Sequence, residues 1–429
     1  MTEPSTAASP RTLFPGATFW IVAVILTMPI REIALGTVGD ASIRIGDVIL
    51  ALAMVGWVGY GLLRGRLTVQ GNGLDQAILL FLLLCAWSIT WAVRPDYLWL
   101  RIIKLTRNVC LYALLVNYLK PDFTNRYRTI ALAFVVAGLM ESLAFMYSME
   151  QNGGIGALRT MFTSETLLSN DSRLTVVKHE NGAGVFMQGA ASWLPLCLLF
   201  GMGVAPLMKT LRSARMVHAA AALMCILTFL TMSRTAWLAL GTGAAIAFFA
   251  APPRDPGKLA WIILGAGTIV LAVGWLPALI NTVANRMPHT ATEVMHDPSL
   301  TVRWTFFRLA WRRFQLSPLI GGGIVGIDRH ELIVVHNTYL QVLGELGALG
   351  VITFGLMLWR WVAGLFRAWR SAIAARDNAR RTLVAAMIAM AVFFLTYFMA
   401  GHDLEGAEPW IAMAMGSAVF ADRHRVPPT

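Results

Sequence analysis

Residues 382–400, TLVAAMIAMAVFFLTYFMA, contain no charged side chain and follow directly on Arg380 and Arg381. A helix of this length measures about 28 Å, close to the thickness of the hydrocarbon core of a bilayer. The whole chain has this character, because 57% of its 429 residues are hydrophobic and only 14% are charged. Soluble domains carry about 25% charged residues, so the composition predicts a single integral-membrane domain over residues 1–429.

Apolar blocks of this kind recur along the chain and predict an all-α fold, a polytopic membrane helical bundle with about twelve transmembrane helices. The first block, from Ala17 to about Leu35, has no convincing cleavage site and is predicted to be a retained span. The predicted spans begin near Ala17, Ile45, Leu74, Leu98, Arg128, Gly182, Met216, Thr235, Lys258, Asn337, Thr382 and Pro409.

The distribution of basic residues predicts the orientation of these spans. Lys and Arg gather in the loops after the even-numbered spans, and the longest of these loops holds six Arg residues from Arg360 to Arg381. Because cytoplasmic loops carry an excess of Lys and Arg, these loops and both termini are predicted to be cytoplasmic. The opposite, periplasmic side has two long segments, residues 148–181 and 281–336, and such long loops are usually functional or disordered.

Many basic residues nevertheless lie on or near the predicted periplasmic side. The orientation of the protein in the membrane depends on basic residues in cytoplasmic loops, so it does not require these. Part of the net charge of +12 reflects the cytoplasmic bias, so the charge does not indicate a nucleic acid. The remaining cations predict an anionic ligand at the periplasmic face. These cations include Arg94, Arg101, Lys104, Arg107, Arg159, Arg173, Lys178, Arg234, Arg286, Arg303, Arg308 and Arg329.

Arg303 stands out because a predicted helix places it on an apolar face. Ser299 is predicted as the N-cap of an amphipathic helix over about residues 299–315. At about 100° per residue, Arg303 lies on the side opposite to Arg308 and Arg312. A buried guanidinium needs an anion, although snorkelling would also accommodate Arg303. The residues that share its face are Phe306, Phe307, Ala310, Trp311 and Phe314.

Arg234 and the cations of the fourth span are further candidates for an anion site. Arg234 lies in the only polar break between two apolar runs, so its guanidinium stays near the membrane boundary, where a helix-end anchor is an alternative. Arg101 and Lys104 are three residues apart and share a helix face, with Arg107 a further turn along. Three cations in two turns of a span favour a functional role over a stabilising one.

His336 is the candidate for proton transfer, since imidazole titrates near neutrality, although a lone His at a helix end is more often structural. Residues 321–326, GGGIVG, fit a dinucleotide-binding pattern, but no strand precedes them, and a turn before the tenth span is the better account. An acidic external turn is predicted to balance the basic face, and a general-base role for one of its carboxylates stays open. This turn contains His402, Asp403, Glu405 and Glu408.

No metal site and no disulfide framework is predicted. His289, Glu293 and His296 have a spacing that would suit a metal on a helix, but their surroundings have the composition of a polar loop. The cysteines all lie inside apolar segments and are predicted to be small buried hydrophobic residues. They are Cys85, Cys110, Cys197 and Cys225.

Several of these segments resemble the O-antigen ligase (WaaL) family within the wider O-antigen ligase and polymerase superfamily. His336-Asn337, followed by residues 347–351, GALGV, is similar to the signature His-Asn-x9-Gly-x-x-Gly-Val. Residues 233–238, SRTAWL, resemble the element Ser-Arg-x-x-Trp-Leu. Three weaker matches are Arg303 followed by residues 317–323, SPLIGGG; Arg101-x-x-x-Leu105; and Glu180-Asn181-Gly182, where relatives have Pro-Asn.

The resemblance implies a glycosyltransferase of the bacterial inner membrane with its active site on the periplasmic face. Such enzymes move O-antigen from undecaprenyl diphosphate to lipid A–core with inversion, and need neither metal nor other cofactor. Guanidinium groups suit bidentate phosphate contacts, so Arg234 and Arg303 are predicted to act on the diphosphate, with His336 as the base. The predicted diphosphate and substrate-binding residues are Arg101, Lys104, Arg173, Asn181 and Asn337.

Two alternatives remain open at this stage. An O-antigen polymerase or a protein O-oligosaccharyltransferase shares the superfamily elements, but the spacing after His336 and the lack of an extra C-terminal domain favour the ligase. A transporter or flippase for a lipid-linked glycan would need polar residues along a path through the bundle, whereas the cations here cluster at one face.

Overall fold

The structure is a computed structural model. It describes residues 13–28, 34–38, 41–65, 71, 73–92, 95–151, 183–231, 233–252, 298–324, 337–399, 401 and 403–421.

The described part of the chain folds into twelve α-helices and one small β-hairpin. The elements are α1 (Ala17–Thr27), β1 (Ala34–Val38), β2 (Ala41–Arg44), α2 (Ile45–Leu63), α3 (Gly73–Trp87), α4 (Pro95–Leu119), α5 (Phe123–Gln151), α6 (Ala183–Val204), α7 (Leu211–Leu230), α8 (Arg234–Ala250), α9 (Pro298–Leu316), α10 (Thr338–Ala374), α11 (Asn378–Tyr397) and α12 (Glu408–Ala421).

The helices confirm the predicted polytopic membrane bundle. Eleven of the twelve predicted spans coincide with a helix that begins within five residues of the predicted start, and the span near Lys258 lies outside the described residues. Seven described segments are long and apolar enough to cross a membrane, and one of them, Leu98–Tyr147, covers most of α4 and most of α5. α1 and most of α8 are apolar but shorter. The chain is therefore a multi-span helical membrane protein.

The predicted end of the first span is wrong. α1 ends at Thr27, and Leu35 lies in β1, which pairs antiparallel with β2 through Val38 and Ala41. The sequence continues with Pro29, which has no backbone N–H to extend the helical hydrogen bonds. Thr37 and Val38, which are β-branched, then favour a strand.

The buried centre of the bundle is formed by α6 and α11. Within the apolar part of α6, 89% of the residues are buried, and Trp193 and Phe200 are fully enclosed. α8 lies against α11 at a very short distance, because a Cβ atom at Gly243 would be 2.8 Å from the carbonyl oxygen of Ala389. Small residues allow this close approach of two helix backbones, as in other membrane bundles.

Contacts at one end of the bundle join segments that were predicted to share the cytoplasmic side. The Arg360 guanidinium donates to the carbonyl of Gly73 at 2.7 Å, and Arg381 donates to the carbonyl of Ala250 at 2.8 Å. The three loops in question follow the second, eighth and tenth predicted spans. These contacts place the three loops at one end of the bundle, as the predicted division of the chain into spans requires. The orientation of the bundle in a membrane stays a prediction.

A helix, α9, lies in the range of the predicted amphipathic helix and differs from the prediction in two respects. It begins at Pro298, so Ser299 lies inside its first turn and is not the N-cap. Ala310 is fully buried, and Arg308 and Arg312 are exposed, as the helical periodicity predicts. Trp311, predicted on the apolar face, is 44% exposed, because it lies at the edge of the face that packs on α10.

Candidate functional site

The predicted site residues divide into those whose surroundings are described and those whose surroundings are not. His336, Arg173 and Asn181 lie outside the described residues. Arg234 is the first residue of α8, and Arg303 lies within α9. The remaining three, Arg101, Lys104 and Asn337, have defined side-chain contacts, which are considered below.

The sequence around Arg234 fixes the start of α8. Ser233 is the N-cap, and its hydroxyl accepts a hydrogen bond from the Ala236 amide at 3.3 Å. Trp237 is buried, and its indole donates to the carbonyl of Thr228 at 3.1 Å, which ties α8 to the end of α7. The Ser and Trp of this element therefore hold the turn that carries Arg234 in a defined position.

Asn337 is the N-cap of α10 and anchors this helix start to the segment after α11. Its side-chain oxygen accepts from the Leu340 amide at 3.0 Å, and its side-chain nitrogen donates to the carbonyl of Met399 at 2.9 Å. Thr338 adds two more bonds, from its amide to Phe398 and from its hydroxyl to Gly401. Asn337 is engaged by the protein, so its contact with substrate stays a prediction, but it fixes the chain directly after His336.

α10 is broken at Gly347, where the backbone adopts φ 62° and ψ −155°. The break frees backbone groups that the preceding loop satisfies: the amides of Ala348 and Leu349 donate to the carbonyls of Pro318 and Leu319. In turn, the amide of Gly322 donates to the carbonyl of Gly344 at 3.0 Å. Such φ and ψ values are essentially restricted to glycine, so the break requires Gly347.

Residues 317–323, hereafter the glycine loop, thus pack backbone to backbone against the break in α10. Gly321 and Gly323 have positive φ values of 65° and 81°. A Cβ atom at Gly321 would lie 2.5 Å from the carbonyl oxygen of Glu345, and one at Gly323 would lie 2.5 Å from the Cα of Ala92. The predicted turn is confirmed over its described residues, 321–324. The contact with α10 explains Gly321 and Gly347, and a separate contact with Ala92 explains Gly323.

An ion cluster lies at the same end of the bundle as the start of α10. The Arg101 guanidinium pairs with two carboxylates, those of Glu345 on α10 and Glu405 in the segment after α11. Lys104 Nζ lies 3.1 Å from the second carboxylate oxygen of Glu405. Gln341 donates to the Glu345 carboxylate at 3.2 Å. α4, α10 and the residues before α12 are therefore joined through one cation.

Arg107 and Asn108 extend the cluster along α4. Arg107 pairs with Asp47 at the start of α2, at 3.1 Å. Asn108 is fully buried, and its side-chain amide donates to the carbonyls of Glu405 and Gly406, each at 3.0 Å. The cluster then contains three cations and three carboxylates. Its charges balance, and Glu405 is the one member of the predicted acidic turn that takes part in these ion pairs; the carboxylates are Asp47, Glu345 and Glu405.

Electrostatics keeps Glu405 ionised. Burial raises the pKa of this carboxyl, but the positive charges of Arg101 and Lys104 lower it by a larger amount. The pKa of Glu405 therefore lies below its usual range. The carboxylate is therefore present at neutral pH and is an anion bound between two cations. Arg101 and Lys104, which were predicted to bind a diphosphate, already bind an anionic group of the chain itself.

The sequence reasoning did not identify Glu345, Gln341 or Asp47. Gln341 and Glu345 are four residues apart in an otherwise apolar run, which places two polar groups on one face of a spanning helix. This pattern was the available signal, because an ionisable residue inside a span needs a partner. Among the described residues there is no group of three or more His, Cys, Asp or Glu side chains suited to a metal, and the pair His289 and His296 lies outside them.

Comparison with known proteins relates one segment of the chain to a known family. Residues 219–355 match the family model described as O-antigen ligase. A search of curated proteins found no match. The matched range contains α8, α9, the glycine loop and the first half of α10, the elements that carry the motifs discussed above. The chain is therefore a multi-span membrane protein in which residues 219–355 are similar to the O-antigen ligase family.

Proposed function

We propose that the chain is an O-antigen ligase that transfers a glycan from undecaprenyl diphosphate to a sugar hydroxyl of lipid A–core. The acceptor hydroxyl attacks the anomeric carbon of the glycan, and the bond from this carbon to the diphosphate oxygen breaks. Undecaprenyl diphosphate leaves with the electron pair of that bond. A single displacement of this kind inverts the anomeric configuration.

His336 is the proposed general base in this step. It takes the proton of the acceptor hydroxyl as the new glycosidic bond forms, and a positioned base of this kind contributes about 10²- to 10⁴-fold to the rate. The network of Asn337, Thr338 and the residues 398–401 supports this assignment, because it fixes the backbone immediately after His336. A base must be held within hydrogen-bonding distance of the proton that it removes.

Arg234 and Arg303 are proposed to bind the diphosphate and to stabilise the charge that develops on it as it leaves. Arg234 is the first residue of a helix, where the amide groups and the helix dipole also favour an anion. Arg101, Lys104 and Arg173 would add positive charge around the lipid diphosphate, with Asn181 and Asn337 in the substrate site. The reaction needs no cofactor, because the diphosphate is already an activated leaving group.

The proposed location is the bacterial inner membrane, with both termini cytoplasmic and the active site periplasmic. The charge distribution of the loops supports this orientation. The observation that most supports the function is the family match over residues 219–355, since this range contains Arg234, Arg303 and His336. Both substrates are membrane lipids, and no nucleic acid takes part.

The test is reconstitution of the purified chain with undecaprenyl-diphosphate glycan and lipid A–core. A ligase produces glycan attached to the core. A polymerase produces longer glycan on the carrier, a protein O-oligosaccharyltransferase requires a protein acceptor, and a flippase changes only the leaflet in which the donor resides. Any of these three outcomes without glycan on the core contradicts the proposed ligase activity.

A further inference from the structure

The two carboxylates bound to Arg101 differ in how firmly the fold holds them. The side chain of Glu345 is only 8% exposed, belongs to the helix α10 and accepts a further hydrogen bond from Gln341. The side chain of Glu405 is 25% exposed and belongs to a short 3₁₀ turn, Asp403–Glu405. Glu345 is thus a fixed partner of Arg101, whereas Glu405 reaches the cations from the solvent-accessible side.

The backbone around Glu405 is held by contacts that do not involve its carboxylate. The carbonyl oxygen of Glu405 accepts hydrogen bonds from Asn108 and from Arg107, and the carbonyl of Leu404 accepts one from the indole of Trp410. The side chain can therefore rotate away from Arg101 and Lys104 without movement of the turn. Rotamer changes of exposed side chains are fast, so this release needs no unfolding of the loop.

One buried polar atom beside the cluster lacks a hydrogen-bond partner among the described residues. A small cavity is lined by Arg101, Gln341, Glu345 and Glu405 together with apolar side chains. The side-chain oxygen of Gln341 is buried in this region and has no hydrogen-bond partner among the described residues. Buried polar atoms are generally satisfied, so one water molecule at this place would complete the network.

We propose that Glu405 is a built-in substitute for the donor's diphosphate: its carboxylate occupies Arg101 and Lys104 in the empty protein and leaves them when a lipid diphosphate binds. The inference rests on the proposed function in naming a diphosphate as the ligand. Before the donor binds, the Glu405 carboxylate pairs with Lys104 and with the partly buried Arg101. Without this pairing, the charges of these two cations would be less well compensated, which costs free energy. When the diphosphate arrives, Arg101 keeps Glu345 and exchanges only its outer partner.

Competition of this kind has a measurable consequence for binding. If the carboxylate occupies the cations in about nine of ten molecules, its removal tightens apparent binding by about tenfold, since only the unoccupied fraction binds. Glu405→Gln removes the negative charge and keeps the size of the side chain. Glu345→Gln makes the same chemical change at the other carboxylate of Arg101 and is the matched control.

The experiment measures equilibrium binding of farnesyl diphosphate to the detergent-purified full-length chain. We expect Glu405→Gln to bind this probe about tenfold more tightly than the wild type and Glu345→Gln to show no gain. The gain should disappear in the double variant Glu405→Gln/Lys104→Gln, because Lys104 is one of the two cations released. Glu405→Asp, with a shorter reach, should give a smaller gain and serves if the Gln variant does not fold.

Equal or weaker binding by both Glu405 variants overturns the inference and leaves Glu405 as a purely structural tie between α4 and the turn. The probe carries no glycan and no acceptor is present, so the result is independent of transfer. A tenfold gain in a chain that never glycosylates lipid A–core would refute the ligase and retain the anion substitute. Normal transfer without a gain in diphosphate binding would support the ligase activity and refute the role proposed for Glu405.

Discussion

A Cβ atom at Gly321 would lie 2.5 Å from the carbonyl oxygen of Glu345, because the glycine loop packs its backbone directly on the first half of α10. This contact connects two sequence motifs that are more than twenty residues apart. It also brings the loop next to the residue that holds Arg101. By packing at the break, the glycine loop fixes the orientation of residues 338–346 relative to the rest of α10.

Gly321→Ala should therefore damage the protein strongly. The new methyl group meets backbone atoms that cannot move aside, and the positive φ of 65° adds strain for any residue with a Cβ atom. We expect a loss of about 2–3 kcal/mol in unfolding free energy, seen as a lower thermal unfolding temperature in detergent, together with reduced transfer.

Gly355→Ala is the matched control for this variant. Gly355 lies in the second half of α10, and a Cβ atom there would meet nothing within 4 Å. Alanine favours a helix by up to about 1 kcal/mol over glycine, so this variant should unfold at the same temperature or higher. Similar destabilisation by both substitutions would contradict the role assigned to the loop contact.

Asn337→Ala should reduce transfer by more than its effect on stability explains. It removes the N-cap of α10, worth about 1 kcal/mol, and also the bond to the carbonyl of Met399. The chain after His336 then loses its anchor, and the proposed base is no longer held in place. The measurements are the unfolding temperature and the turnover rate at saturating donor and acceptor.

Asp377→Ala provides the comparison, since Asp377 caps α11 at the opposite end of the bundle through the Arg380 amide at 2.9 Å. The loss of a cap is common to both variants, while only one lies beside His336. We expect similar losses of stability and a loss of turnover in Asn337→Ala alone. Equal turnover in the two variants would show that Asn337 has no special link to the site.

The sequence predicted the fold well because membrane insertion depends on local composition. Blocks of about twenty apolar residues define spans whatever their neighbours are, and the starts of α2, α6 and α8 were predicted within one residue. The end of α1 was missed because the apolar residues 33–35 were assigned to the span, although Pro29, Arg31 and Glu32 interrupt the apolar run before them. Hydropathy does not distinguish a helix from a strand, and the hairpin pairing depends on a second strand.

The site was predictable in part. The cations of α4 were recognised from charge alone, since three basic residues in two turns of a span are unusual. Glu405 was expected to balance them only as one member of the acidic turn, and Glu345 was not recognised, because it is more than 200 residues away from Arg101 and meets it only in the folded chain. The break at Gly347 was not predicted either. The sequence motif was recognised, but the break in the helix depends on hydrogen bonds with the backbone of the glycine loop.

Arg234→Lys and Arg303→Lys should each fail in transfer although the positive charge is kept. A lysine ammonium cannot make the paired, planar contact that a guanidinium makes with a phosphate, and each lost contact of this charged type is worth about 1.5–3 kcal/mol. We expect turnover to fall by about tenfold or more in each variant. Arg308→Lys, on the exposed face of α9, should behave like the wild type.

Turnover close to the wild type in both Arg234→Lys and Arg303→Lys would rule out bidentate binding of the diphosphate. A loss in Arg308→Lys of the same size would instead indicate a general sensitivity of α9 to basic substitutions. The farnesyl diphosphate assay separates the two roles of the guanidiniums: weaker binding indicates a contact in the ground state, and unchanged binding with slow turnover indicates a contact made in the transition state.

Chelation of divalent ions should leave the rate of transfer unchanged. In the proposed reaction the charge of the departing diphosphate is balanced by arginine side chains, so a divalent ion has no step to assist. The measurement is turnover in excess EDTA after extensive dialysis. Activity that disappears with the chelator and returns with one divalent ion would assign a metal-binding role to His289 and His296.

His336→Ala should abolish transfer while the chain still folds and binds farnesyl diphosphate with the affinity of the wild type. The base acts on the acceptor and not on the donor, so its loss removes about 10²- to 10⁴-fold of the rate and leaves diphosphate binding intact. The wild-type rate should also rise with pH as the imidazole loses its proton, because only the neutral ring accepts a proton. Any residual rate of His336→Gln should lack this rise, since an amide does not titrate. Full transfer by the Ala variant, or an unchanged pH profile in the Gln variant, would exclude His336 as the base and redirect the search to the carboxylates of the segment that contains Glu405.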